Sequence, residues 1–180
     1  MGTTRYQTSS ILLHWLMALA LIANFALGVS VHEMDLSPMK LKMLAWHKWA
    51  GMTLLALVTL RLINRLIFQP PPPEPAPRWQ QRAASWRHAA LYVLMFAIPF
   101  SGWLVTSAAG IPVIYLNLWE LPQLLPKNLE WADQLKEVHE ALNQALLTLV
   151  IVHVLAAIKH HVIDRDSTLI RMLPFLEKRR

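Results

Sequence analysis

Two histidines, His139 and His153, stand fourteen residues apart in the apolar stretch HEALNQALLTLVIVH. Fourteen residues make almost four helical turns, so on one helix both imidazoles project from nearly the same face, roughly 21 Å apart along the axis. Two earlier apolar stretches each carry one histidine near their start, His14 in ILLHWLMALAL and His47 in AWHKWAGMTLL. Neutral imidazole is a strong axial donor for haem iron, and a low-spin electron carrier wants two such donors. Histidine at bilayer depth is costly and uncommon, which makes an intramembrane histidine a functional residue by default. Each of the four, taken alone, also has a reading as a packed structural histidine. Four at two depths are what two bis-imidazole haems require.

The elements that must position them are legible as apolar runs near 11–31, 44–68, 88–108 and 141–158. With their amphipathic flanks, each approaches the roughly 20 residues a helix needs to cross a hydrocarbon core. The expected fold is an all-α membrane protein: a bundle of four transmembrane helices at about 9–31, 44–68, 84–107 and 131–163, in a single domain over 1–180. The first run is long, carries His14 and lacks a small-residue cleavage pattern, so it is read as a span rather than a cleavable signal. Thr8, Ser9 and Ser10 are its available N-caps.

Antiparallel topology then sorts the histidines. His14 lies early in the first helix and His153 late in the fourth, so they share one depth. His47 opens the second helix and His139 the fourth, so they share the other. The expected metal ligands are therefore His14 with His153 for an inner haem iron and His47 with His139 for an outer one. The fourteen-residue register extends this: His14 plus fourteen is Gly28, and Gly51 lies one turn beyond His47, so both glycines are expected to clear space for the outer porphyrin. His47 plus fourteen is Arg61, at the inner depth, where it either pairs with a propionate or snorkels to the interface. His160, seven residues past His153, sits at the edge of the inner side and is read as a hydrogen-bond partner for a quinone carbonyl or a proton relay. His88 is read as a headgroup-level residue, with lining of the inner site as the lesser alternative, His161 as interfacial and His32 as solvated.

Composition excludes several alternatives. The chain is 55% apolar and only 16% charged, against about a quarter charged in soluble domains. It has no cysteine, which removes disulfides, iron–sulfur clusters and covalent haem attachment, so any haem is b-type and held by coordination and packing. The +6 net charge is a topology signal rather than a nucleic-acid one. Arg5, Arg61, Arg65, Arg78, Arg82, Arg87, Lys159, Arg165, Arg171, Lys178, Arg179 and Arg180 fall on the side of both termini. Only Lys40, Lys42, Lys48, Lys127 and Lys136 fall on the other. The positive-inside rule then puts the N- and C-termini in the cytoplasm, with the basic tail at anionic headgroups.

The connections follow from local chemistry. QPPPPEPAP, residues 69–77, cannot continue a helix and reads as a stiff extended spacer. Pro99 and Gly102 mark a kink near the outer end of the third helix. The segment at about 109–133 is too apolar for a free loop and is expected to cap the bundle at the membrane surface. Tryptophans near helix ends, Trp15 and Trp46 among them, form an aromatic belt.

These residues, in their order and spacing, resemble the bacterial cytochrome b561 family over nearly the whole chain: RYQTSSILLHW, WHKWAG, R-L-x-x-R before the prolines, IPFSGW, LWELPQLLP, VHE with VIVHVLAAIKHH, and DSTLIRMLP. The resemblance implies two haem b groups on histidines matching His14, His47, His139 and His153, and electron transfer with membrane quinone in a bacterial inner membrane. In a characterised bacterial member, superoxide on the outer side is the electron donor, ubiquinone is reduced, and a histidine matching His160 has been considered part of the quinone site. The leading expectation is therefore a superoxide:ubiquinone oxidoreductase, whose partners are lipid, quinone and superoxide, not nucleic acid. Lys40, Lys42 and Lys48 favour an anionic substrate, whereas Glu120, Glu130, Asp133, Glu137 and Glu140 make the outer face mixed. The competing expectation is a non-catalytic anchor and electron conduit for a soluble redox partner, as in hydrogenase and formate dehydrogenase complexes; a metal carrier using the same histidines is a third reading and predicts colourless protein.

Overall fold

A computed structural model describes residues 6–174, so Arg5 and the tail residues Lys178, Arg179 and Arg180 lie outside the described residues. Four helices run α1 (Thr8–Glu33), α2 (Pro38–Ile67), α3 (Arg78–Ala108) and α4 (Leu129–Lys159). All four are long and apolar enough to cross a membrane. The N-cap of α1 is Gln7, which makes no side-chain cap, rather than any of the three hydroxyl residues after it.

Helix starts depart from the sequence expectation for local reasons. α2 begins at Pro38, six residues before the apolar run, because Ser37 accepts from the Lys40 amide at 3.2 Å and Pro38 supplies a pre-set φ at the first helical position. α3 begins at Arg78 because Pro77 is the last residue that breaks a helix; the polar stretch after it is helical although it offers no apolar face. Asn128 caps α4 by accepting from the Trp131 amide. At its other end α4 widens into a π-turn, His160–Asp164, that stops at Arg165 in the left-handed region (φ 54°).

α1 packs on α2, α2 on α3 and α3 on α4. α4 makes no comparable close packing with α1 or α2, and both histidine pairs lie across that separation. Large core side chains are few: among the described residues Met17, Leu54, Val58 and Leu146 are the buried residues of any bulk within the helices, while much of the apolar surface, Leu12, Leu19, Ile22 and Leu155 included, faces outward. An exposed apolar exterior around a thinly filled centre suits a bundle whose solvent is lipid and whose interior holds cofactors.

One end of the bundle carries residues 6–7, the proline tract and the C-terminal turn. There Arg171 donates to the Pro72 carbonyl at 2.7 Å and pairs with Glu74 at 2.7 Å, Ser167 hydrogen-bonds Glu74, and the Trp15 indole donates to the Met172 carbonyl at 2.8 Å. We call this the terminus end. The other, hairpin end carries a two-stranded antiparallel hairpin, β1 (Ile114–Tyr115) and β2 (Trp119–Glu120), whose turn holds Leu116 and Asn117 at positive φ. Trp49 donates to the Ile114 carbonyl, Thr53 bonds the Tyr115 hydroxyl and Trp103 donates to the Pro122 carbonyl, so the segment expected to cap the bundle is tied to α2 and α3.

Candidate functional site

His47 on α2 and His139 on α4 face each other at the hairpin end, with ring centroids 6.3 Å apart. Each ring sits in the same kind of socket on a neighbouring helix. His47 Nδ1 lies 3.2 Å from the Asn24 carbonyl, and a Cβ added to Gly28, four residues on, would come within 2.9 Å of the His47 ring. His139 Nδ1 lies 3.1 Å from the Ile98 carbonyl, and a Cβ added to Gly102, again four residues on, would come within 3.1 Å of the His139 ring. A carbonyl and a glycine one helical turn apart thus grip each imidazole. Ser101 adds a further contact: its hydroxyl donates to the Ile98 carbonyl at 2.8 Å and its oxygen accepts from His139 Nδ1 at 2.9 Å. A carbonyl oxygen only accepts, so in both residues Nδ1 carries the hydrogen and the Nε2 lone pair is free for a metal.

At the terminus end His14 on α1 and His153 on α4 have ring centroids 6.2 Å apart. Here the surroundings differ. His153 Nδ1 is buried and has no hydrogen-bond partner among the described residues. His88, expected at headgroup level, instead stacks edge-on against His153 at 5.7 Å, and Trp15 stacks edge-on against His14 at 5.2 Å. Arg61 is at this depth as the register argument requires, but its Nε donates to the Tyr92 hydroxyl at 3.2 Å. Arg87, which sequence reasoning did not single out, has a buried Nε without a hydrogen-bond partner among the described residues.

Both pairs can be tested for fit to haem iron. Two metal–imidazole bonds of about 2 Å and two ring radii of about 1 Å give a centroid separation of roughly 6 Å, the spacing seen in each pair. Beside the His47–His139 pair a cavity of about 410 Å³ is walled by α1, α2, α3 and α4 and lined by Gly51, Asn24, Lys48 and Lys136 as well as the two histidines. Its size falls within the range of small-molecule and cofactor sites. Gly51 opens onto this cavity with Asn24 as its nearest neighbour, whereas the space Gly28 leaves is taken by the His47 ring rather than held open for a porphyrin. The residues fit the group.

Beyond the terminus-end pair, His160 Nδ1 lies 2.6 Å from Asp166 Oδ2 and 3.1 Å from Asp164, whose carboxylate also receives Lys159 at 2.7 Å. Partial burial pushes the Asp166 carboxyl up, but the Thr168 amide and hydroxyl and the His160 ring outweigh it and hold the carboxyl below its ordinary value of 3.8. His32 is exposed and 3.8 Å from Glu140. His161, read as interfacial, has a buried Nδ1 without a partner among the described residues.

Comparison with known proteins agrees with this architecture. The family model described as prokaryotic cytochrome b561 matches residues 5–175. The chain is 36% identical to cytochrome b561 homolog 2 of Escherichia coli (strain K12), over 94% of this chain and 91% of the relative. It is 32% identical to cytochrome b561 homolog 1 of the same organism, over 94% and 97%. It is 30% identical to a protein of Yersinia pestis named "Probable superoxide oxidase CybB", over 94% and 96%. Four membrane-spanning helices carrying facing histidine pairs, with a family match along nearly the whole length, place this chain in the prokaryotic cytochrome b561 family, whose members bind b-type haem and transfer electrons in the membrane.

Proposed function

We propose that this protein is a di-haem b cytochrome of a bacterial inner membrane that takes electrons from superoxide at the hairpin end and reduces ubiquinone at the terminus end. The observation that carries the reading is the recurrence of one geometry at two depths: His14 with His153 and His47 with His139, each pair at the spacing an iron between two imidazoles imposes. Each haem, when bound, supplies a one-electron centre, and the two together link the ends of the bundle.

The chain's own residues supply the rest. Lys48 and Lys136 line the hairpin-end cavity and, among the described residues, no carboxylate lines it, which favours entry of an anion. The acidic residues that make the outer sequence mixed in charge therefore lie off the cavity wall; Glu140 holds Lys136 at 3.9 Å from outside it. At the other end Asp166 orients His160 by accepting from Nδ1, and when the ring is doubly protonated its Nε2–H can donate to a quinone carbonyl and hand over a proton. Two superoxide ions each lose one electron to become oxygen, and one quinone takes up both electrons and two protons to become quinol. The name of the Yersinia relative supports superoxide as donor. The excess of arginine and lysine at the terminus end supports a cytoplasmic location for both termini.

The test uses purified, oxidised protein in detergent with added ubiquinone. Superoxide generated in solution is expected to reduce the haem bands and accumulate quinol, and superoxide dismutase is expected to abolish both. Two-haem protein that ignores superoxide but exchanges electrons with quinol would replace this reading with an electron conduit for a soluble partner.

A further inference from the structure

The two histidine pairs are held unequally, and the difference bears on the direction of electron flow. At the hairpin end both rings donate Nδ1–H to oxygen: His47 to the Asn24 carbonyl, His139 to the Ile98 carbonyl and the Ser101 hydroxyl. At the terminus end His153 Nδ1 is buried with no acceptor among the described residues. An imidazole that donates from its far nitrogen gains basicity and becomes a stronger electron donor to a metal on the near one. Stronger donation favours the oxidised metal and lowers its reduction potential.

Nearby charge works in the same direction at the terminus end. The charged neighbours of His153 are Arg61 and Arg87, whose positive field favours the reduced, less positive iron. Lys48 and Lys136 oppose the difference from the hairpin-end cavity, but Glu140, 3.9 Å from Lys136, offsets part of their charge. The hydrogen bonds therefore decide the order.

We propose that Ser101 and the Ile98 and Asn24 carbonyls are positioning groups that set the hairpin-end haem at a lower potential than the terminus-end haem, so that electrons run downhill from the hairpin end toward the proposed quinone site. The inference rests on the assignment of the two haem pairs above. It also gives a role to Ser101, one of the two buried polar side chains among the described residues, and to the PFSGW segment around it.

The experiment is a potentiometric titration of the detergent-solubilised holoprotein followed in the visible spectrum, after haem content has been measured. Protein with fewer than two haems per chain would sink the cofactor assignment before any potential is read. With two haems, two separate waves are expected, and the low-potential wave is the one that survives in the double variant His14→Ala/His153→Ala. Ser101→Ala is expected to move the low wave to higher potential and leave the high wave in place, while Ser101→Thr, which keeps the hydroxyl, leaves both unmoved. Survival of the high wave in the double variant, or a Ser101→Ala protein with two haems and both waves unmoved, would overturn the proposal. Should Ser101→Ala shed its haem, the order of the wild-type waves, assigned with the complementary variant His47→Ala/His139→Ala, decides the matter.

Discussion

Gly28 and Gly102 impose a steric requirement that flexible neighbours cannot relieve, because the atoms a Cβ would meet belong to imidazole rings already fixed by hydrogen bonds. A ring held from behind cannot swing away cheaply, and overpacking of this kind costs about 1–3 kcal/mol. Gly28→Ala, with the closer contact, is expected to reduce hairpin-end haem occupancy more than Gly102→Ala, as read from the haem content of purified protein; equal, full occupancy in both would contradict the sockets. Asp166 presents a second residue-scale test. Asp166→Asn removes the carboxylate that orients His160 and is expected to slow quinol formation at least several-fold while leaving the rate of haem reduction by superoxide unchanged. The sign for stability follows from the lowered Asp166 carboxyl: its contribution is complete above the ordinary value of 3.8 and is lost as pH falls through the lower value of the folded protein. The stability difference between wild type and Asp166→Asn, read from thermal unfolding followed by circular dichroism, should therefore be full at neutral pH and close as the solution is acidified; a difference that widens toward acid would contradict it.

At the scale of elements, α4 is the organising helix, since it supplies one histidine to each pair. That much was legible in sequence, because a fourteen-residue spacing within one helix fixes face and depth without any knowledge of neighbours. The pairings were legible too, since antiparallel order alone decides which histidines share a depth. What was not legible lies between helices. Gly28 was placed at the right depth by register but assigned to a porphyrin, because sequence does not say which side chain crosses from the next helix. Ser101 was invisible for the same reason: a serine in a helix ordinarily bonds its own backbone, and only the rotation of α3 against α4 brings His139 to it. His88 stacks on His153 at the inner pair, the lesser of its two expected positions, because α3 begins at Arg78, well before its apolar run. The proline tract was read as a spacer, and the structure adds that it is latched. Arg171 joins Glu74 and the Pro72 carbonyl in a mostly buried arrangement. Arg171→Met leaves Glu74 with Ser167 alone and that carbonyl without its donor, at a cost on the order of 1–3 kcal/mol. Limited trypsin digestion is expected to cut this variant faster than wild type at Arg78 or Arg82, and an unchanged cleavage rate would count against the latch.

On the scale of the whole molecule, two asymmetries are superimposed on one bundle. Basic residues crowd the terminus end, and the cavity with its two lysines surrounds the hairpin-end histidine pair. The first supports both termini lying in the cytoplasm, the second an anionic donor arriving from outside. The chain has no cysteine, so orientation can be read with single cysteines introduced at exposed positions. In intact spheroplasts Leu118→Cys, on the hairpin, is expected to react with a membrane-impermeant maleimide, and Pro73→Cys, in the proline tract, only after lysis; the reverse pattern would invert the proposed direction of flow. The claim on which everything else depends is that each histidine pair holds its own haem. It is tested most directly by haem-to-protein stoichiometry in wild type and in the two double variants His14→Ala/His153→Ala and His47→Ala/His139→Ala. The account requires two low-spin b haems in wild type, one in each double variant, and different spectra for the two that remain. A single haem in wild type, or loss of both haems from a folded variant lacking either pair, would contradict it.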